Sequence, residues 1–99
     1  MKLKPGASLD GITAKTLHAM AKAEEVAVRH WHELVVTSGT DGTHMAGSLH
    51  YLGLAFDMRH WWWDDAERKT IRDELAEALG ADYDVVLESS HFHIEYDPD

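Results

Sequence analysis

The spacing of apolar residues changes several times along this chain, and each change marks a different element. From Ile12 to about Glu33, apolar residues recur near helical spacing (Leu17, Met20, Ala23 or Ala27, Val28, Trp31), with Lys15, Lys22, Glu24, Glu25 and Arg29 between them. This predicts a long amphipathic helix. Ahead of it, residues 1–9 form an entry segment punctuated by Pro5 and Gly6, with Ser8 or Asp10 as candidate caps. The run Leu34-Val35-Val36-Thr37 predicts a short strand that ends at Ser38-Gly39. Residues 38–48 then combine glycines with Ser, Thr and Asp side chains that bond their own backbone, the composition of a structured loop. Loops of that length tend to carry function.

Leu54 to Met58 alternates as a strand. Asp64 or Asp65 caps a second helix from about Ala66 to Leu79, ended by Gly80, with Ile71, Leu75, Ala78 and Leu79 as its buried stripe. Tyr83 to Leu87 and His91 to Tyr96 are two further strand-like segments around Glu88-Ser89-Ser90. The expected fold class is α+β, a small, mostly antiparallel sheet with two helices on one face. No repeat, linker or low-complexity tract interrupts the pattern, so residues 1–99 are read as one domain. An apolar content of 44%, including four Trp, is enough for one modest core.

Charge narrows the partners. Eighteen acids against nine bases give a formal net charge of −9, a field that repels phosphate backbones and anionic membranes. Neither nucleic acid nor a membrane is expected as a partner, and the oligomeric expectation is a monomer. No run of about 18 apolar residues and no secretory leader is visible, so the chain as written is expected to be soluble and made in the cytoplasm. There are no cysteines, which leaves any transition metal to nitrogen and oxygen donors. Eight histidines in 99 residues are an unusual load of a residue that binds metals and moves protons near neutral pH.

Two segments concentrate the metal-competent groups. In the first, His50 and Asp57 are separated by Gly53 and Ala55, small residues that permit close approach. In the second, strand alternation places His91, His93 and Glu95 on one side and Phe92, Ile94 and Tyr96 on the other. Two imidazoles and a carboxylate opposite an apolar stripe make a site wall, and Zn2+ suits the available donors. His44 is assigned to the loop surface; His18, His30, His32 and His60 are assigned to surface or boundary positions. Of Trp61-Trp62-Trp63, at least one ring is expected in the core, while another could stay exposed for a partner.

The pattern Ser48-x-His50-x-x-Gly53-x-Ala55-x-Asp57, followed by Glu88-x-x-His91-x-His93, resembles the zinc D-alanyl-D-alanine carboxypeptidase and L-alanyl-D-glutamate endopeptidase family, whose fold is shared with the hedgehog signalling domain. The resemblance covers roughly residues 34–97. It implies a zinc peptidase with His50 and Asp57 as metal ligands and, as the third, His93, with His91 beside the metal as a hydrogen-bonding or transition-state group; the alternative third ligand is His91, which follows Glu88 by three residues as in the family's dipeptidases. Glu88 is the implied general base in the attack of a zinc-activated water on a peptide carbonyl, with Glu95 as the fallback. The implied partner is a peptidoglycan stem peptide or crosslink, and the implied setting is a phage or prophage lysis enzyme acting on the cell wall after release. The alternative is a catalytically inactive, zinc-binding recognition module of the hedgehog kind.

One position departs from the family. Many members carry Ser-Gly-x-Arg, whose arginine grips a substrate carboxylate; here Ser38-Gly39-Thr40 is followed by Asp41. That weakens the case for substrates ending in free D-alanine and favours a longer stem peptide or another anchor such as Arg59.

Overall fold

The computed structural model describes residues 1–42 and 48–98. His44 therefore lies outside the described residues. Seven elements succeed one another in chain order: β1 (Lys2–Leu3), α1 (Ala14–Arg29), β2 (Val35–Ser38), β3 (Ala55–Arg59), α2 (Asp65–Leu79), β4 (Tyr83–Leu87) and β5 (His91–Tyr96). The fold is a small α+β architecture of two helices and a five-stranded mixed sheet in the order β1-β2-β3-β5-β4. Only β1 and β2 run parallel; the other three pairings are antiparallel.

Helix α1 is shorter than the periodicity predicts, at both ends. Thr13, rather than Ser8 or Asp10, is the N-cap, and its hydroxyl accepts from the Thr16 N–H, a contact worth about 1 kcal/mol. At the other end His30 and Trp31 turn back onto Ala27 and Val28, and Trp31 adopts φ 70°, a left-handed conformation that stops a helix. The buried stripe is Thr16, Ala19, Met20, Ala23, Val26 and Ala27. Leu17, Val28 and Trp31 point to solvent, Trp31 being 91% exposed. The small residues win the core face because they let the helix lie close to the sheet.

Helix α2 obeys its sequence signals. Asp64 accepts from Glu67 N–H while the Glu67 carboxylate accepts from Asp64 N–H, a reciprocal capping box, and Gly80 closes the helix. Its Ile71, Leu75 and Leu79 meet the α1 stripe in one core with Val36, Phe56, Met58, Trp63, Phe92 and Ile94. Ala78, expected in that stripe, is exposed. Trp63 is buried, Trp62 half-buried and Trp61 64% exposed, and the Trp63 indole N–H donates to the His30 carbonyl. His60, expected at a surface or boundary position, is buried; its Nε2–H donates to the Glu88 carbonyl at 2.8 Å and ties β3's exit to the β4–β5 turn.

Alternation gives the sheet two chemically different faces. Phe56 and Met58 of β3 pair with Ile94 and Phe92 of β5 and lie under the helices. The intervening pairs Ala55↔Glu95, Asp57↔His93 and Arg59↔His91 occupy the opposite face. Strand β2 carries an irregularity: Val36 pairs with Met58 but Ser38 with Asp57, so Thr37 and Ser38 together oppose one residue of β3. Such a bulge bends the strand and re-aims the next residue, here Gly39.

Gly53 ends the turn before β3 with φ +71°, and a Cβ there would stand 2.0 Å from the Gly11 carbonyl oxygen. Its own carbonyl accepts from the Thr16 hydroxyl at 2.7 Å and the Thr13 N–H at 3.1 Å. Both the conformation and the space exclude a side chain. Gly53→Ala is expected to destabilise the protein by about 2 kcal/mol or more, measured as a lowered urea midpoint at an unchanged slope.

Candidate metal centre

Each residue of the first motif has a local task. Ser48 accepts the His50 N–H through its hydroxyl at 3.2 Å, starting a tight turn whose later bonds run from Gly53 N–H to the His50 carbonyl and from Leu54 N–H to the Leu49 carbonyl. That turn carries His50 over the polar face of the sheet, where it is 3% exposed. Gly53 docks the turn on α1, Ala55 is a small buried residue opposite Glu95, and Asp57 comes two positions later on the same face of β3.

Three donor atoms converge there. His50 Nε2 lies 3.3 Å from His93 Nδ1 and 3.3 Å from Asp57 Oδ1, and His93 Nδ1 lies 3.0 Å from the same oxygen. A tetrahedral zinc ion with bonds of about 2.0–2.1 Å sets its ligand atoms about 3.3 Å apart. The triangle has the size of one face of that tetrahedron. His50, Asp57 and His93 are accordingly a group that could hold a metal ion.

The far side of each imidazole fixes its protonation. His50 Nδ1–H donates to the Gly39 carbonyl at 2.7 Å, and His93 Nε2–H donates to the Glu95 carboxylate at 2.7 Å. In the neutral rings this leaves a lone pair on each inward nitrogen, aimed at a carboxylate oxygen. Three acceptors facing one another in a buried site require a cation between them, either a proton or a metal. Outer carboxylate and carbonyl partners of this kind orient metal-binding histidines.

The titration behaviour agrees. Burial by itself raises the Asp57 pKa, but hydrogen bonds from His50 and His93 and the charges of His50 and His91 outweigh it and hold the carboxyl well below the usual range. The His93 pKa is raised, first by its bond to Asp57, against desolvation and with help from Glu95. Asp57 and Glu95 thus favour the protonated form of His93.

His91 belongs to the edge of this site. Its Nε2 lies 3.6 Å from Asp57 Oδ2, the oxygen turned away from the triangle, and its Nδ1 meets the Ser90 hydroxyl at 2.8 Å. Glu88 is exposed at the end of β4, its N–H bonded to the His91 carbonyl and its own carbonyl held by His60. Its carboxylate is not part of the triad's cluster. Asp41, standing where the resembling family has arginine, accepts the N–H groups of Ser8 at 2.7 Å and Gly39 at 2.8 Å. It therefore braces the loop whose Gly39 carbonyl holds His50. Gly39 is itself pressed against Ser8, where a Cβ would stand 2.3 Å from the carbonyl oxygen. Neither Gly39 nor Asp41 is identifiable as a site support from spacing, because their partners lie 11 and 33 residues away. Among the described residues, no helix is long and apolar enough to cross a membrane.

One equivalent of Zn2+ per chain is expected on titration of metal-free protein, and none with His50→Ala. Glu95→Gln, which weakens the acceptor behind His93, should reduce affinity by about 10- to 100-fold. Binding should weaken on acidification, starting above the range of an ordinary histidine, because the proton competing for His93 is held more tightly than usual. The metal-free protein should lose the His93 contribution to stability as pH rises through its raised pKa, and the Asp57 contribution only in strong acid. Competition with a chromophoric chelator and thermal melts across that range measure both. No protein-family profile and no curated protein matches the chain, so the reading of this centre rests on its geometry and chemistry.

Proposed function

We propose that the chain is a zinc metallopeptidase that hydrolyses peptide bonds of bacterial peptidoglycan. The observation that carries the reading is the buried triangle of His50 Nε2, Asp57 Oδ1 and His93 Nδ1, with an acceptor locking the outer nitrogen of each imidazole. The choice of peptide bonds in the cell wall is supported by the resemblance of the two motifs to the zinc D-alanyl-D-alanine peptidases.

A divalent cation held by these three side chains supplies Lewis-acid polarisation and a lowered pKa for water. The remaining tasks belong to the chain. Glu95 is committed to His93 Nε2, so its part is to position that ligand and keep its inward lone pair available. Glu88 is in no ion pair among the described residues and stands on a turn anchored from both sides, by His60 and by His91. It is the carboxylate available to take a proton from the attacking water and return it to the leaving amine. His91, with its proton on Nε2 when Ser90 donates to Nδ1, lies beside the centre and can donate to oxygen charge developing on a carbonyl.

The exposure of Glu88 supports a second reading, a zinc-containing recognition module without turnover. Incubation of zinc-loaded protein with purified peptidoglycan, followed by mass spectrometry of released fragments, separates the two. New peptide termini are expected, and Glu88→Gln should lower their rate by about 10²- to 10⁴-fold with zinc content unchanged. Binding to the wall without release from several wall chemotypes would establish the recognition module instead.

A further inference from the structure

Next to the triad, the polar face of the sheet opens into a cavity of about 230 Å³ lined by Lys4, Thr37, Arg59, Trp61, Ser90 and His91. It is contiguous with the metal centre through His91, whose Nε2 lies 3.6 Å from Asp57 Oδ2. Two features of its lining run against the composition of the chain.

The first is charge. Acids outnumber bases 18 to 9, and Lys22, Arg29, Arg68 and Arg72 each have a carboxylate partner. Lys4 and Arg59, like Lys2, Lys15 and Lys69, have none among the described residues, and they are the two bases that line this cavity beside the site. The second is preorganisation. The Arg59 guanidinium carbon lies 3.9 Å from the centre of a Trp61 ring, so the indole covers one face of the guanidinium plane. The donating edge is left for a ligand. A planar fork held in this way loses little freedom on forming paired hydrogen bonds, and it matches the plane of a carboxylate. Ser90 and Thr37 add hydroxyls.

We propose that this cavity is an anion subsite that receives a carboxylate of the substrate, with Arg59 as its fork, Lys4 as a second charge and Trp61 as the surface that holds Arg59 in place. The inference rests on the reading of His50, Asp57 and His93 as a hydrolytic centre, and it names the substrate class: peptides with a free carboxylate close to the bond cut. Arg59 comes from the end of β3, and Lys4 comes just after β1. The anchor is thus assembled from elements on the side of the centre away from Glu95, while the position after Ser38-Gly39-Thr40 holds Asp41, whose carboxylate is used by the backbone.

The test is a comparison of N-acetyl-glycyl-glycine with its C-terminal amide, followed through the indole N–H signal of Trp61 in NMR spectra of zinc-loaded protein. That signal is assigned with Trp61→Phe. The acid is expected to shift it and to bind about 10-fold or more tightly than the amide. Arg59→Gln should abolish the difference while bound zinc stays constant, and Lys4→Gln should reduce it by a smaller factor. In His50→Ala, which lacks the metal, the preference for the acid should persist, so failure of the metal reading is distinguishable from failure of the subsite. Equal binding of acid and amide by the native protein, or no shift by either at millimolar ligand, overturns the proposal. So does a preference that survives Arg59→Gln but vanishes in His50→Ala, since the carboxylate would then sit on the metal. Tighter binding of inorganic phosphate than of the acid would overturn the assignment to carboxylates.

Discussion

The site depends on the register between β3 and β5. Asp57 stands opposite His93, Arg59 opposite His91 and Ala55 opposite Glu95, while the alternate pairs Phe56↔Ile94 and Met58↔Phe92 close the core. A slip of one residue along either strand would put Asp57 or His93 under the helices and turn core side chains to solvent. Burying one unpaired carboxylate among Phe and Met costs several kcal/mol, comparable with the whole stability of a domain this size. The apolar pairs therefore hold the polar ones in place. Core and candidate metal centre are two faces of a single set of backbone hydrogen bonds.

The third donor of the triad is positioned differently. His50 is not on a strand; it is carried by a turn that is held at three points, by the Ser48 hydroxyl, by Gly53 against Gly11 and α1, and by the Gly39 carbonyl on its ring. The last of these depends on the β2 bulge and on Asp41, which accepts N–H groups from Ser8 and Gly39 at once. Segments that are far apart in the chain are thus joined at a few backbone contacts behind one imidazole. Precision at a metal site comes from such outer contacts as much as from the ligands themselves.

Electrostatics divides the same surface. The net charge of −9 favours cations, and the inward-facing acceptors of His50, Asp57 and His93 concentrate that preference at one point. Arg59 and Lys4 reverse the local sign beside it on the same face. A group that could hold a cation thus lies beside a cavity lined by two bases.

Much of this was legible in the chain itself. Alternation in Tyr83 to Leu87 and His91 to Tyr96, the Asp64 cap and Gly80 stop of α2, and the α+β class all come from local spacing, because hydrogen bonding and side-chain direction within one element are set by near neighbours. His50, Asp57 and the pair His91/His93 stood out as metal-competent groups, but alternation puts both histidines of that pair on one side, and the preference for His93 came from the resemblance to the zinc peptidases. Strand β1 was not visible, since two residues carry no period and their pairing partner lies across the whole of α1. The buried face of α1 was legible only in part: Met20, Ala23 and Ala27 are buried as predicted, but Leu17 and Val28 lost the core to Thr16, Ala19 and Val26; periodicity marks a face, but only the packing distance to the sheet decides how large its residues can be. His60 behind Glu88, Gly39 and Asp41 behind His50, and Arg59 stacked on Trp61 came from tertiary structure alone. The sequence determined which groups could bind a cation. The folded sheet decided which of them meet, at what distance and with which supports, because those contacts join segments whose separation along the chain leaves no local signal.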